Sequence, residues 1–149
     1  MDGRIAEAEA LWYDTRRWPT FVDGFHHVAK VDPEWPAGGK IVWDSTPQGR
    51  GRVLERVVRY EARVGQTAEV EDEKITGTQT VSFAAATGDR VRVTLELDYR
   101  VKERRGPLFV VVDVLFIRPR QREALLRTLA RFSRELAAER GGVGLAPTP

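Results

Sequence analysis

Residues 90–101 read RVRVTLELDYRV, and this stretch decides the fold. Val91, Val93, Leu95, Leu97, Tyr99 and Val101 alternate with Arg92, Thr94, Glu96, Asp98 and Arg100. Successive side chains of a strand point to opposite faces, so a period of two predicts one apolar face and one wet face. Residues 75–83, ITGTQTVSF, repeat the pattern, with Gln79, Val81 and Phe83 opposite Thr78, Thr80 and Ser82. Two further stretches, RVLERVVRYEA (52–62) and QTAEVEDEK (66–74), alternate less regularly. Turn residues punctuate residues 25–103 at DPEWPAGG (32–39), TPQGRG (46–51), Val64-Gly65 and TGD (87–89). Connections this short join neighbouring antiparallel strands, and about six are expected.

Helical spacing appears on both sides of this block. Ile5, Ala8, Leu11 and Trp12 predict a short first helix, and Thr15 with Pro19 predicts a second short turn through Val22. After Gly106-Pro107, one stripe of Leu108, Val112 and Leu115 precedes another of Leu125, Leu129, Phe132 and Leu136. Pro119 separates them, predicting a kink and then a long amphipathic helix to about Glu139. Residues 1–140 therefore form one α+β domain, with residues 141–149 as a tail. One sheet with an apolar face and one helix with an apolar stripe bury each other when the sheet curls around the helix. Where the sheet curls more than the helix fills, a hollow remains.

Composition narrows the function classes. The chain has 149 residues, a formal net charge of +2 and no cysteine. Disulfides, thiol catalysis and cysteine metal sites are excluded, and a reducing cytoplasm fits. So small a net charge recommends no nucleic-acid partner. No apolar run is long enough to insert stably into a membrane. No glycine-rich phosphate loop and no nucleophile elbow appear, so no cofactor is expected.

The ordered set ALWYDTRRWPTFVDGF (10–25), GRGRVLERVVRYEA (49–62), ITGTQTVSF (75–83), GDRVRVTLELDY (88–99) and PLFVVVDVLFIRPRQREALLRTLARFSREL (107–136) resembles a known family. It is similar to the polyketide cyclase/dehydrase-like members of the SRPBCC superfamily, which share the helix-grip fold of START lipid-transfer domains and birch pollen allergens. The resemblance covers most of the chain. It implies a curved antiparallel sheet around a long C-terminal helix, with two short helices crossing its open end. It implies a small hydrophobic molecule, polyketide-like or lipid-like, held between sheet and helix. The rival it implies is a cyclase or dehydratase using the same cavity. The family begins with a strand before the first helix, whereas only MDGR precedes it here. An edge left open near residues 91–101 invites a homodimer, or a role as a protein-interaction module.

Several residues are candidates for the cavity wall. Trp18 and Phe21, with Phe25, either roof its mouth or plug the core between the helices. Trp43 is either a wall or an ordinary core ring. Tyr99 and Gln79, on inward faces, either make structural hydrogen bonds or orient a ligand. Leu95, Leu97 and Phe116 complete the expected apolar wall. Glu55 and Glu71 gain raised pKa values if their strands turn them inward. His26 and His27 are adjacent and point apart on a strand, so they suit no shared metal, and neither has a readable carboxylate partner for general-base work. The acids of residues 69–73 read as a solvated strand end, and the arginines of residues 118–134 as a solvated helix face.

Overall fold

The computed structural model describes residues 1–102 and 117–143. Helix α1 (Ile5–Tyr13), a 3-10 turn (Thr15–Arg17) and a short helix α2 (Trp18–Phe21) lead into the sheet. Six strands follow: β1 (Phe25–Val31), β2 (Lys40–Ser45), β3 (Arg52–Glu61), β4 (Gly65–Glu71), β5 (Ile75–Ala86) and β6 (Arg90–Val101). They pair antiparallel in sequence order. Helix α3 (Arg118–Val143) is the last described element. This is the α+β, helix-grip-like layout expected from the alternating strands and the long C-terminal stripe. The first apolar stripe, Leu108 to Leu115, lies outside the described residues, as do the last six residues of the chain. Pro119 is the second residue of α3, and the segment before it, across which the break is expected, lies outside the described residues.

Register follows from the alternation. Phe83 faces Val93, Val81 faces Leu95, Gln79 faces Leu97 and Gly77 faces Tyr99 across β5 and β6. Their common face meets Phe132 and Leu136 of α3, both fully buried. Phe132 stacks edge-on against Trp12 at 5.3 Å and Phe21 at 5.1 Å, so three helices meet on one ring. Phe21 is thus a core ring between the helices.

The open edge expected at residues 91–101 is covered at its start. Asp2 bridges Arg90, Gly3 N–H donates to Asp89 O at 3.0 Å, and Val91 N–H donates to Met1 O at 3.0 Å. At the opposite edge, two bulges in β1 interrupt its register, a device that discourages pairing with another chain.

The arginines of α3 form a largely exposed helix face, as expected, and two of them also pair with the segment after α2. Arg127 and Arg131 reach the two oxygens of Asp23 at 3.0 and 3.2 Å. Arg17 in turn donates to Glu135 and Glu139 of α3. Buried Glu9 on α1 accepts from Tyr60 Oη, Arg63 N and Arg63 Nη1, which ties α1 to the β3–β4 turn.

Candidate functional site

The exit of α1 positions the site. A helix C-terminus leaves carbonyls without intrahelical partners. Here indoles satisfy two of them: Trp18 Nε1–H donates to Trp12 O at 2.8 Å, and Trp35 Nε1–H donates to Tyr13 O at 3.4 Å. Both rings are thereby fixed beside the open side of the sheet. Trp18 stands edge-on to Trp35 at 6.0 Å and to Trp43 at 6.4 Å. On β2 the alternation of burial turns Ile41, Trp43 and Ser45 inward.

These rings enclose a cavity of about 60 Å3 between the sheet and α3. All four tryptophans of the chain, Trp12, Trp18, Trp35 and Trp43, line it. Leu95, Gln79, Glu55 and Arg50 contribute from the sheet side, and Leu125 and Thr128 from α3. A hollow therefore exists in the layer where sheet curvature predicts one, but aromatic rings fill most of it. The remaining space suits a few water molecules, well below the 300–1,000 Å3 typical of ligand pockets.

Of the residues singled out from sequence, Trp18, Trp43, Gln79 and Leu95 meet at this cavity. Phe21 does not, because it is spent in the helix core. Leu97 and Tyr99 lie further along the inward row of β6, outside the cavity wall. Phe116 lies outside the described residues. Phe25 backs the wall, packing against Trp18 and Trp43 at 6.0 and 5.7 Å. Contrary to the expected alternation, His26 and His27 are both exposed on β1 with their rings 5.0 Å apart beside a register shift, and His27 Nε2 does have a carboxylate neighbour, Asp44, at 3.3 Å. Neither lines the cavity.

The polar side of the cavity is a chain of four side chains. Glu55 is 5% exposed, and its Oε1 accepts from Trp43 Nε1–H at 3.0 Å. Burial pushes the Glu55 carboxyl above its ordinary range, against the lowering effects of the Trp43 hydrogen bond and the Arg50 charge. The Arg50 guanidinium lies over the Trp43 ring, 5.8 Å from its centroid. Arg50 Nε–H donates to Asp72 Oδ2 at 2.7 Å, while Arg50 Nη2 is buried without an acceptor. Asp72 Oδ1 accepts from the backbone N–H groups of Lys74 and Ile75 at 2.8 and 2.9 Å, closing the β4–β5 turn. Asp72 is thus a buried exception among acids expected to be solvated. Glu71 points outward and pairs with Lys102 at 2.6 Å.

Sequence reasoning missed Arg50, Trp35 and Thr128 as wall residues. Arg50 and Trp35 lie in turn segments, TPQGRG and DPEWPAGG, where periodicity assigns no facing direction. Thr128 is a helical position beside the apolar stripe, and its Oγ1 accepts from Asp23 N–H at 2.9 Å.

A larger depression of about 600 Å3 lies over β3–β6, walled by Arg56, Glu69, Glu71, Thr76, Asp98 and Arg100 among others. It is open and polar, so it offers little apolar burial to a ligand. Among the described residues, no group of three or more histidines and carboxylates is placed to hold a metal, and no helix is long and apolar enough to cross a membrane. Comparison with protein-family models and with curated proteins finds no match to this chain.

Proposed function

We propose that this chain binds a small hydrophobic or aromatic molecule in the cavity between its sheet and its C-terminal helix, as the resemblance to the polyketide cyclase/dehydrase-like SRPBCC proteins implies. One observation carries this reading: all four tryptophans converge on one partly open pocket. The indole N–H groups of Trp18, Trp35 and Trp43 are already bonded within the protein, which leaves ring faces and edges for apolar contact. Burial of apolar area at about 25 cal/mol per Å2 supplies the affinity. A ring-sized ligand needs more room than 60 Å3, so one wall moves on binding. Trp35 is the wall that moves at least cost. It is half-buried on the β1–β2 connection and holds the longest of the three indole hydrogen bonds.

A second reading has its own support. Glu55 is a buried carboxylate on the cavity wall with an elevated pKa, the property an acid–base catalyst requires. A cyclase or dehydratase acting in this cavity would use Glu55 to take or give a proton beside Arg50.

Titration with the neutral fluorophore N-phenyl-1-naphthylamine tests the binding reading. Energy transfer from tryptophan should rise with saturable occupancy. Ala124→Phe fills the cavity from α3 and should abolish it with the fold intact, whereas Trp35→Ala should strengthen it. Equal, non-saturable signals from wild type and Ala124→Phe would refute the reading.

A further inference from the structure

We propose that Arg50 sets the specificity of this cavity by donating its Nη2–H to the acceptor atom of a neutral aromatic ligand, and that its pairing with Asp72, which already balances the guanidinium charge, excludes ionised acids. The inference rests on the binding reading above and names the chemistry of its ligand.

Among the described residues two buried side-chain atoms lack a hydrogen-bond partner, Tyr13 Oη and Arg50 Nη2, and of the two residues only Arg50 lines the cavity. Buried polar groups in native proteins nearly always have partners, and an orphan on a cavity wall marks the place of a missing acceptor. Its neighbours restrict what that acceptor is. Asp72, with its side chain 1% exposed, already matches the guanidinium charge through Nε. A ligand carboxylate would therefore add a negative charge beside a cation that is already balanced, and lose hydration in doing so. A neutral oxygen, such as that of an amide or a phenol, satisfies Nη2 without that cost. The Arg50 guanidinium also lies over Trp43, so a planar ligand ring beside the indole would bring its substituent towards Nη2. Gln79, on the same wall, offers a further amide to the polar end of such a ligand.

The test uses three compounds of nearly equal shape: benzamide, benzoate and isopropylbenzene. Binding to the full chain at pH 7 is followed by the four indole N–H signals in nitrogen-15 correlation spectra. Benzamide should bind at least about tenfold more tightly than benzoate. The affinity ratio of benzamide to isopropylbenzene should fall about tenfold in Arg50→Lys, the loss expected for one hydrogen bond to a charged donor. Lysine keeps a cation for Asp72, so this variant isolates the lost Nη2–H; Arg50→Met, should it fold, should show the same fall. Benzoate binding as tightly as benzamide would overturn the inference, as would a ratio unchanged in Arg50→Lys. If isopropylbenzene alone binds, the inference fails and the apolar cavity reading stands. If none of the three binds, both fail.

Discussion

Replacing Trp43 by phenylalanine keeps an aromatic ring against Trp18 and Phe25 but removes the N–H that Glu55 Oε1 accepts at 3.0 Å. The sign of its pH dependence follows from linkage. Burial raises the folded-state pKa of Glu55 above its unfolded value, so the folded protein holds the proton more tightly. The contribution of Glu55 to stability is therefore fullest below the unfolded pKa and is lost as pH rises through the folded one. The Trp43 hydrogen bond opposes the rise. Without it the folded pKa climbs further, and the added loss appears towards high pH. A hydrogen bond to a charged group contributes about 1.5–3 kcal/mol, and a buried group left unsatisfied costs a similar amount. Trp43→Phe should therefore cost about 1.5–3 kcal/mol, with the larger loss towards high pH. At roughly 3 °C per kcal/mol for a chain of this size, that is a fall in Tm of about 5–9 °C. Glu55→Met alone strands the indole N–H and should cost about 1–2 kcal/mol. The double variant, with neither partner left unsatisfied, should lose much less than the sum. Urea unfolding of all four proteins across a pH series measures this. Additive single losses, or a Trp43→Phe cost that shrinks as pH rises, would refute the assignment of Glu55 as a buried, Trp43-held carboxyl.

Phe132→Ala removes a fully buried ring from the junction of α1, α2 and α3, and should cost about 3–5 kcal/mol in chemical denaturation. At Gly77, an added Cβ would collide with the backbone of Asp98 and Tyr99 on β6. Gly77→Ala should therefore disrupt the β5–β6 register, read as loss of amide-exchange protection along both strands. Asp23→Asn weakens the pairing of Arg127 and Arg131 to the N-terminal region, so its Tm deficit should shrink as salt is raised.

The layout was legible because its elements carry long, regular patterns. Six alternating residues from Val91 to Val101 named one face of β6, and Leu125, Leu129, Phe132 and Leu136 named one face of α3. The site was half legible for the same reason. Gln79 and Leu95 sit on regularly alternating strands, so their inward direction followed from their neighbours, whereas that of Trp43 and Glu55 depended on which way less regular strands turned. Phe21 and Trp18 lie three residues apart on a helix too short to show a period, and nothing local separated the core plug from the cavity ring. Arg50 and Trp35 belong to turns, where direction depends on tertiary partners: Asp72 and Trp43 for Arg50, the end of α1 for Trp35. The cover over the start of β6 was also hidden, since three residues, Met1 to Gly3, are too few to show strand alternation.

The most direct measurement is native mass spectrometry of the protein purified gently from its own host, beside the Ala124→Phe variant. A small molecule retained by the wild-type chain, released on denaturation and missing from the cavity-filled variant is the result this account predicts. A wild-type chain that carries no bound mass, and takes up none of the neutral aromatic probes when they are supplied, would contradict it.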